Sequence, residues 1–181
     1  MEDDSQQQGW VIVYTGNGKG KTTAALGMVL RAAGHGNKIA IVQFIKSDWP
    51  YGEIESLKRL NPQVTVLTLG AGCIGILGDD KPIEEHCRAA KETLQQAREV
   101  IFSNQYDIVV LDEINITPSL GLLGVDEIVE LVKNKPKRIN LVLTGRNAPE
   151  AVIEIADLVT EMREIKHPFQ RGQLSRKGID Y

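Results

Sequence analysis

An apolar, β-branched run, Trp10–Thr15 (WVIVYT), passes directly into the turn Gly16-Asn17-Gly18-Lys19-Gly20-Lys21-Thr22-Thr23, and a helical pattern follows over Thr22–Ala33. A buried strand feeding a glycine turn that opens a helix is the entry unit of a parallel α/β sheet. The rest of the chain keeps that alternation. Strand patterns fall at Lys38–Ile45, Gln63–Leu67, Asp107–Leu111, Ile139–Leu143 and Leu158–Glu161. Helical patterns fall near Glu53–Leu60, over Ile83–Phe102, at Val125–Val132 and at Pro149–Ala156. The longest of them spaces Cys87, Ala90, Leu94, Ala97 and Ile101 three or four apart, which gives one apolar face. The expected fold is therefore α/β, a mostly parallel central sheet with helices on both faces. Sites in such sheets form at the carboxyl ends of the strands. The glycine turn, Asp112-Glu113 and Thr144-Gly145-Arg146 all fall at such ends.

With 181 residues the chain fits a single domain. The expected division is a flexible N-terminal tail over residues 1–9 and one domain over residues 10–181. The acidic, polar start, Met1 to Gln8, has no apolar stretch of the secretory kind. A formal charge of −3 gives no reason to expect nucleic acid as the partner. No run approaches the roughly 18 apolar residues of a membrane span. The two cysteines, Cys73 and Cys87, have no metal-type pairing and read as reduced thiols of a cytoplasmic protein.

The glycine turn has the chemistry of a phosphate cradle. Gly16, Gly18 and Gly20 permit positive φ, which lets successive N–H groups converge on phosphate oxygens. The helix that follows aims its positive end at the same anion. Lys19 and Lys21 add charge, and Thr22 offers a hydroxyl to Mg²⁺. The usual spacing would put the first glycine at position 15, where Thr15 stands, so the loop is one residue short. The competing reading is a glycine turn with solvated lysines. Asp112-Glu113, directly after the strand DIVVL, has the form of a metal-holding strand end. Its alternative is an acidic pair capping the next segment. Arg146 has the planar fork to reach a phosphate, and is otherwise a loop arginine. A guanine-recognition Asn-Lys-x-Asp sequence is absent, which favours ATP over GTP. His35 reads as a helix-end residue and His167-Pro168 as an extended turn. His86 and Cys87 are neighbours that cannot share a helix face as metal ligands.

The strings TGNGKGKTTAALG, RAAGHG, VQFIKSDWPYGE, VVLDEIN, LTGR, KHPF and the terminal GIDY occur in this order. Together they resemble the ATP:corrinoid adenosyltransferases of cobalamin synthesis and salvage, the CobA/CobO/BtuR type, from about Trp10 to Tyr181. The short GNGKGKTT loop is itself a mark of that family. The resemblance implies a RecA-like P-loop fold, commonly a homodimer, in which reduced cobalt attacks C5′ of ATP and tripolyphosphate leaves. ATP and Mg²⁺ are the implied cofactors, a corrinoid such as cobalamin is the substrate, and an electron donor such as a flavoprotein reductase is a partner. Neither nucleic acid nor membrane is expected. On the family pattern Gly18, Lys19, Gly20, Lys21, Thr22 and Thr23 hold the triphosphate, with Asn17 near the ribose and Gly16 a further ATP-binding residue of the loop. Thr22 and Glu113 bind the metal with Asp112 behind them, and Lys21 and Glu113 carry the catalytic burden without a protein nucleophile. Arg31 and Arg146 are further nucleotide contacts.

One segment departs from the enterobacterial members, whose loop after the third strand carries Gly-Phe-x-Trp. Here Cys73 and Gly75 stand where the aromatics would fall. The corrinoid-loop candidates are accordingly Cys73, Ile74, Gly75, Ile76 and Leu77. Either their apolar side chains cover the lower face of the corrin, or the stretch is a hinge packed on the protein's own core. Two other functions stay open on motif grounds: a P-loop ATPase or kinase moving the γ-phosphoryl group, and a non-catalytic binder of ATP and corrinoid. The tail Lys166–Tyr181 is expected to fold back over the nucleotide.

Overall fold

The computed structural model describes residues 8–46, 51–72, 74 and 79–181. Six strands, β1 (Val11–Thr15), β2 (Ile39–Gln43), β3 (Val64–Thr68), β4 (Ile108–Asp112), β5 (Asn140–Thr144) and β6 (Leu158–Glu161), form one sheet in the order β3-β2-β4-β5-β1-β6. All five pairings are parallel. The helices are α1 (Lys21–Gly34), α2 (Gly52–Lys58), α3 (Ile83–Phe102), α4 (Val125–Asn134) and α5 (Glu150–Ile153), followed by a 3₁₀ turn at Pro168–Arg171.

Side chains on a strand alternate between faces, and here the alternation sorts the core into two layers. Val11, Val13, Val42, Val109, Leu111, Leu141 and Leu143 pack with Ala90, Leu94, Ala97 and Ile101 of α3, Ile128 and Leu131 of α4, and Val152 of α5. Ile12, Ile39, Ile41, Val110 and Val142 pack with Ala25, Val29 and Ala32 of α1 and Leu57 of α2. The parallel sheet is thus covered on both faces, and its inner strands read as unbroken apolar runs for that reason. The expected spans hold to within a few residues, and α3 matches at both ends. The widest difference is α5, which stops at Ile153 because Ala156 N–H turns back to Ile153 O at 3.2 Å ahead of β6.

The polar residues of the sheet gather at its carboxyl edge. Thr68, Gln43, Asp112, Thr144 and Thr15 each close a strand, and the last four are buried. Taken in sheet order β3-β2-β4-β5-β1 they form one row. Thr68 Oγ1 donates to Gln43 Oε1 at 2.8 Å, Gln43 Nε2 lies 3.4 Å from Asp112 Oδ2, and Thr144 Oγ1 donates to Asp112 Oδ1 at 2.7 Å. These five strands all end on a polar residue, and β2 and β4 are apolar up to it, so the sheet itself delivers the chemistry to one edge.

Leu111, fully buried in β4 at the centre of the sheet, measures how much that packing holds. Leu111→Ala should lower the unfolding free energy by about 2–5 kcal/mol, seen as a lower urea midpoint at unchanged slope. A loss of about 0.5 kcal/mol or less, the scale of surface substitutions, would contradict the central position of β4.

Candidate functional site

At the carboxyl edge a cavity of about 770 Å³ is bounded by the loop from Asn17 to Thr23, by Lys46, Tyr51 and Glu53 after β2, by Glu113 and Arg146, and by the C-terminal residues Gly178 to Tyr181. The loop is fixed from outside by the chain leaving β6. Gly18 N–H donates to Met162 O at 2.6 Å, and Met162 N–H in turn donates to Thr15 O at 2.8 Å. A side chain on Gly18 would bring its Cβ within 2.7 Å of Met162 O, and one on Gly16, whose φ is +92°, within 2.5 Å of the same atom. Gly16 is therefore required twice over, by conformation and by space, whereas Gly18 is required by close approach alone.

This bracing changes which N–H groups remain for an anion. Gly18 N–H is spent on Met162, so the cradle begins further along. Lys21, Thr22 and Thr23 start α1, whose first intrahelical bond is Ala24 N–H to Gly20 O at 2.7 Å. Their N–H groups lie at the positive end of the helix, ahead of that bond. The Lys21 ammonium is buried and donates to Gly16 O and Gly18 O, both at 2.8 Å. Burial pushes its pKa below the ordinary lysine value, Arg146 and Lys19 add to the effect, and Glu113 opposes it. An anion that satisfies this desolvated ammonium relieves that cost.

Asp112 and Glu113 are neighbours in sequence with opposite circumstances. Asp112 is saturated: Thr22 Oγ1 (2.9 Å) and Thr144 Oγ1 (2.7 Å) donate to Oδ1, while Lys46 Nζ (3.3 Å) and Gln43 Nε2 (3.4 Å) lie against Oδ2. Glu113 takes the left-handed conformation, φ +64°, which turns its side chain out of the strand and into the cavity. Among the described residues no hydrogen bond reaches its carboxylate, although its N–H donates to Thr144 Oγ1 at 3.0 Å. Burial, then the charge of Asp112, push the Glu113 pKa up; Lys21, Lys46 and Arg146 oppose them. Such a carboxylate, lining the same cavity as Thr22 and the phosphate loop, is suited to a metal cation.

Lys46 is the main group that motif reading passed over. It sits just beyond β2, paired with Glu53 at 2.8 Å and stacked 4.7 Å from the centre of the Tyr51 ring. Burial works against its ammonium, but Asp112 and Glu53 outweigh it and the pKa is raised. The string VQFIKSDWPYGE carried Lys46, Tyr51 and Glu53, yet only the β2–β4 pairing places Lys46 against Asp112. His167 also lines the cavity, and its Nδ1 accepts Phe169 N–H at 3.2 Å, opening the 3₁₀ turn.

Arg31 does not line the cavity. It lies exposed in the last turn of α1, ten residues past Lys21 and hence about 15 Å along the axis. Its guanidinium complements the negative end of the helix there. Arg146, by contrast, does reach the cavity. Of the corrinoid-loop candidates, Cys73, Gly75, Ile76 and Leu77 lie outside the described residues. Ile74 is half-buried and packs against the larger core cluster. His86, which sequence gave no role, is buried with Nε2 3.1 Å from Asp79 Oδ1.

A family model described as ATP:corrinoid adenosyltransferase BtuR/CobO/CobP matches residues 7–181. A corrinoid adenosyltransferase of Escherichia coli K12 is 37% identical over 175 residues, covering 97% of this chain and 87% of its own length. One from Sinorhizobium sp is 39% identical over 183 residues, covering 100% and 84%. The corrinoid adenosyltransferase CobA of Salmonella typhimurium is 34% identical over 176 residues, covering 97% and 87%. Among solved structures, the flagellar accessory protein FlaH of Methanocaldococcus jannaschii superposes with a TM-score of 0.56 at 15% identity, covering 86% of this chain and 71% of its own. At that identity the likeness bears on the fold alone, a RecA-like P-loop sheet.

The state of Glu113 has a measurable consequence. A raised carboxyl pKa means the folded protein disfavours the ionised form, so the penalty is present above the raised value and vanishes below the ordinary glutamate value. Glu113→Gln should therefore raise the Tm of the metal-free protein at pH 7, by an amount on the order of 2–4 °C. The gain should fade as pH falls towards the ordinary glutamate range. A Tm that drops at pH 7, or a gain that grows in acid, would show that the carboxylate is satisfied in the fold.

Proposed function

Because this chain belongs to the ATP:corrinoid adenosyltransferase family and is an enzyme of that class, we propose that it moves the 5′-deoxyadenosyl group of ATP onto the reduced cobalt of a corrinoid, with tripolyphosphate as the leaving group. The observation that carries the reading is the cavity itself, about 770 Å³, which Lys19, Lys21, Lys46 and Arg146 line together with Glu113, whose carboxylate no hydrogen bond reaches among the described residues. In the transfer the cobalt(I) electron pair forms the Co–C5′ bond while the C5′–O bond breaks, and its electrons pass to the triphosphate oxygen. The protein need supply no nucleophile. Its work is to hold the reactants in line and to neutralise the charge that grows on the departing oxygen.

The residues divide that work. Lys21 keeps a third N–H for a phosphate oxygen while two hold the loop carbonyls. The N–H groups of Lys21, Thr22 and Thr23 meet the triphosphate at the positive end of α1, and Lys19 and Arg146 add charge from the sides. Asn17, beside Gly18 at the cavity wall, is assigned to the ribose. Thr22 Oγ1 and Glu113 would hold Mg²⁺, with Asp112 fixing the threonine hydroxyl from behind. Mg²⁺ typically takes one or two protein oxygens and completes its shell with water and phosphate, which suits this donor set. When bound it would neutralise charge on the leaving group.

The corrinoid is assigned to the segment after β3, around residues 70–79, of which 73 and 75–78 lie outside the described residues. An electron donor such as a flavoprotein reductase, a second copy of the chain and a cytoplasmic setting belong to the same proposal. No helix among the described residues is long and apolar enough to cross a membrane.

Incubation with MgATP and a chemically reduced cobalt(I) corrinoid should give a light-sensitive adenosylcorrinoid. Lys21→Ala should lower kcat/KM by about 2–4 kcal/mol of transition-state stabilisation, the scale of one lost preorganised contact. Absence of product from cobalt(I), or a near-wild-type rate in Lys21→Ala, would reject this assignment.

A further inference from the structure

The C-terminal segment meets the phosphate loop at two places 18 residues apart in sequence. At its beginning Met162 O holds Gly18 N–H, as described above. At its end Asp180 Oδ1 lies 2.6 Å from Lys19 Nζ. The last six residues close a turn of their own around that carboxylate. Gly178 N–H donates to Tyr181 O at 2.7 Å, and Asp180 N–H to Arg176 O at 2.8 Å. Arg176 N–H donates to Asp180 Oδ2 at 2.7 Å. One carboxylate oxygen is thus tied into the tail and the other is presented to the loop lysine.

The turn also forms a wall. Gly178, Ile179, Asp180 and Tyr181 line the cavity together with the phosphate loop, and the backbone of Tyr181 lies against Gly52 at the start of α2. The terminus therefore spans the mouth from loop to α2. We propose that Asp180 is a positioning residue of the nucleotide site, which sets Lys19 towards the triphosphate and pins residues 178–181 as one wall of the cavity. This rests on the reading of that cavity as the ATP site.

The physical case is one of preorganisation. A half-exposed lysine has a long stem with many rotamers, and ordering it on binding costs affinity. Lys19 spends one of three N–H donors on Asp180 and keeps two for phosphate oxygens. The Lys19 hydrogen bond, then the Arg176 N–H, hold the Asp180 carboxyl below the usual aspartate range, so the anchor stays ionised at neutral pH. No residue of the turn carries a reacting atom, so its effect should fall on ATP binding rather than on transfer.

The test is an ATP titration at saturating cobalt(I) corrinoid, comparing wild type, Asp180→Asn, Asp180→Glu and a chain ending at Lys177. Asp180→Asn should raise the KM for ATP by about threefold, the scale of a half-exposed ion pair, and the shortened chain should raise it further. Turnover and the KM for corrinoid should stay within about twofold of wild type, because the lost interaction is made equally in ground and transition states. Asp180→Glu should restore part of the affinity, and high salt should narrow the gap between wild type and Asp180→Asn. An ATP KM unchanged in both Asp180→Asn and the shortened chain would overturn the proposal. A lowered KM would overturn it too, by showing that Asp180 competes with the triphosphate for Lys19. Wild type that shows no saturable ATP dependence, or one indifferent to Lys21→Ala, would instead reject the nucleotide reading of the cavity.

Discussion

The buried carboxylate of Asp112 is the interaction on which the rest of the site depends. A carboxylate placed at the end of a central strand, away from water, is costly unless donors surround it. Here Thr22, Thr144, Gln43 and Lys46 surround it, and each arrives from a different part of the chain. That single anion therefore fixes the hydroxyl at the start of α1, joins the ends of β2, β4 and β5, and through Lys46 and Glu53 draws α2 to the edge of the cavity. Because its oxygens are satisfied within the fold, the unmet electrostatic demand passes to the next residue. Glu113 faces the cavity with no hydrogen-bond donor among the described residues, and Lys21 stands desolvated near it. Folding thus holds a desolvated ammonium and a carboxylate at the cavity, where a charged ligand with its metal would complete them.

What was legible in the sequence follows from how local each cause is. The strand-turn-helix from Val11 to Gly34 is written in consecutive residues, and so is the face of α3, so both appear in the structure where periodicity placed them. Asp112-Glu113 was legible because strand-end carboxylates recur after runs such as DIVVL. Lys46 and Gln43 were not, since their significance lies in the order β3-β2-β4, which no local pattern encodes. Thr144 was visible only as part of the Thr-Gly-Arg string, and its bond to Asp112 requires β5 to lie beside β4. Arg31 stands apart from the cavity for the opposite reason. It is near the cradle in sequence, but a helix carries it away at a fixed rise per residue. Gly18 was read as a source of positive φ and serves instead as room for Met162 O.

The shortness of the phosphate loop gains a physical setting from the same geometry. The strand that ends at Glu161 runs along its outer side, and the carbonyl of Met162 takes up the N–H of Gly18. The free donors are thereby concentrated at Lys19 and beyond, at the start of α1. A cradle of this kind grips a triphosphate without indicating which of its bonds will break. That distinction comes from the family to which the chain belongs, whose proposed chemistry places the reacting atom at C5′ and makes the whole triphosphate the leaving group. A phosphoryl-transfer enzyme would use the same lysines and carboxylates and break the terminal P–O bond.

Phosphorus NMR of a reaction containing MgATP and cobalt(I) corrinoid separates these outcomes most directly. The account predicts intact tripolyphosphate, appearing in equal amount with the adenosylcorrinoid and without ADP. ADP with orthophosphate, formed in place of tripolyphosphate, would contradict it.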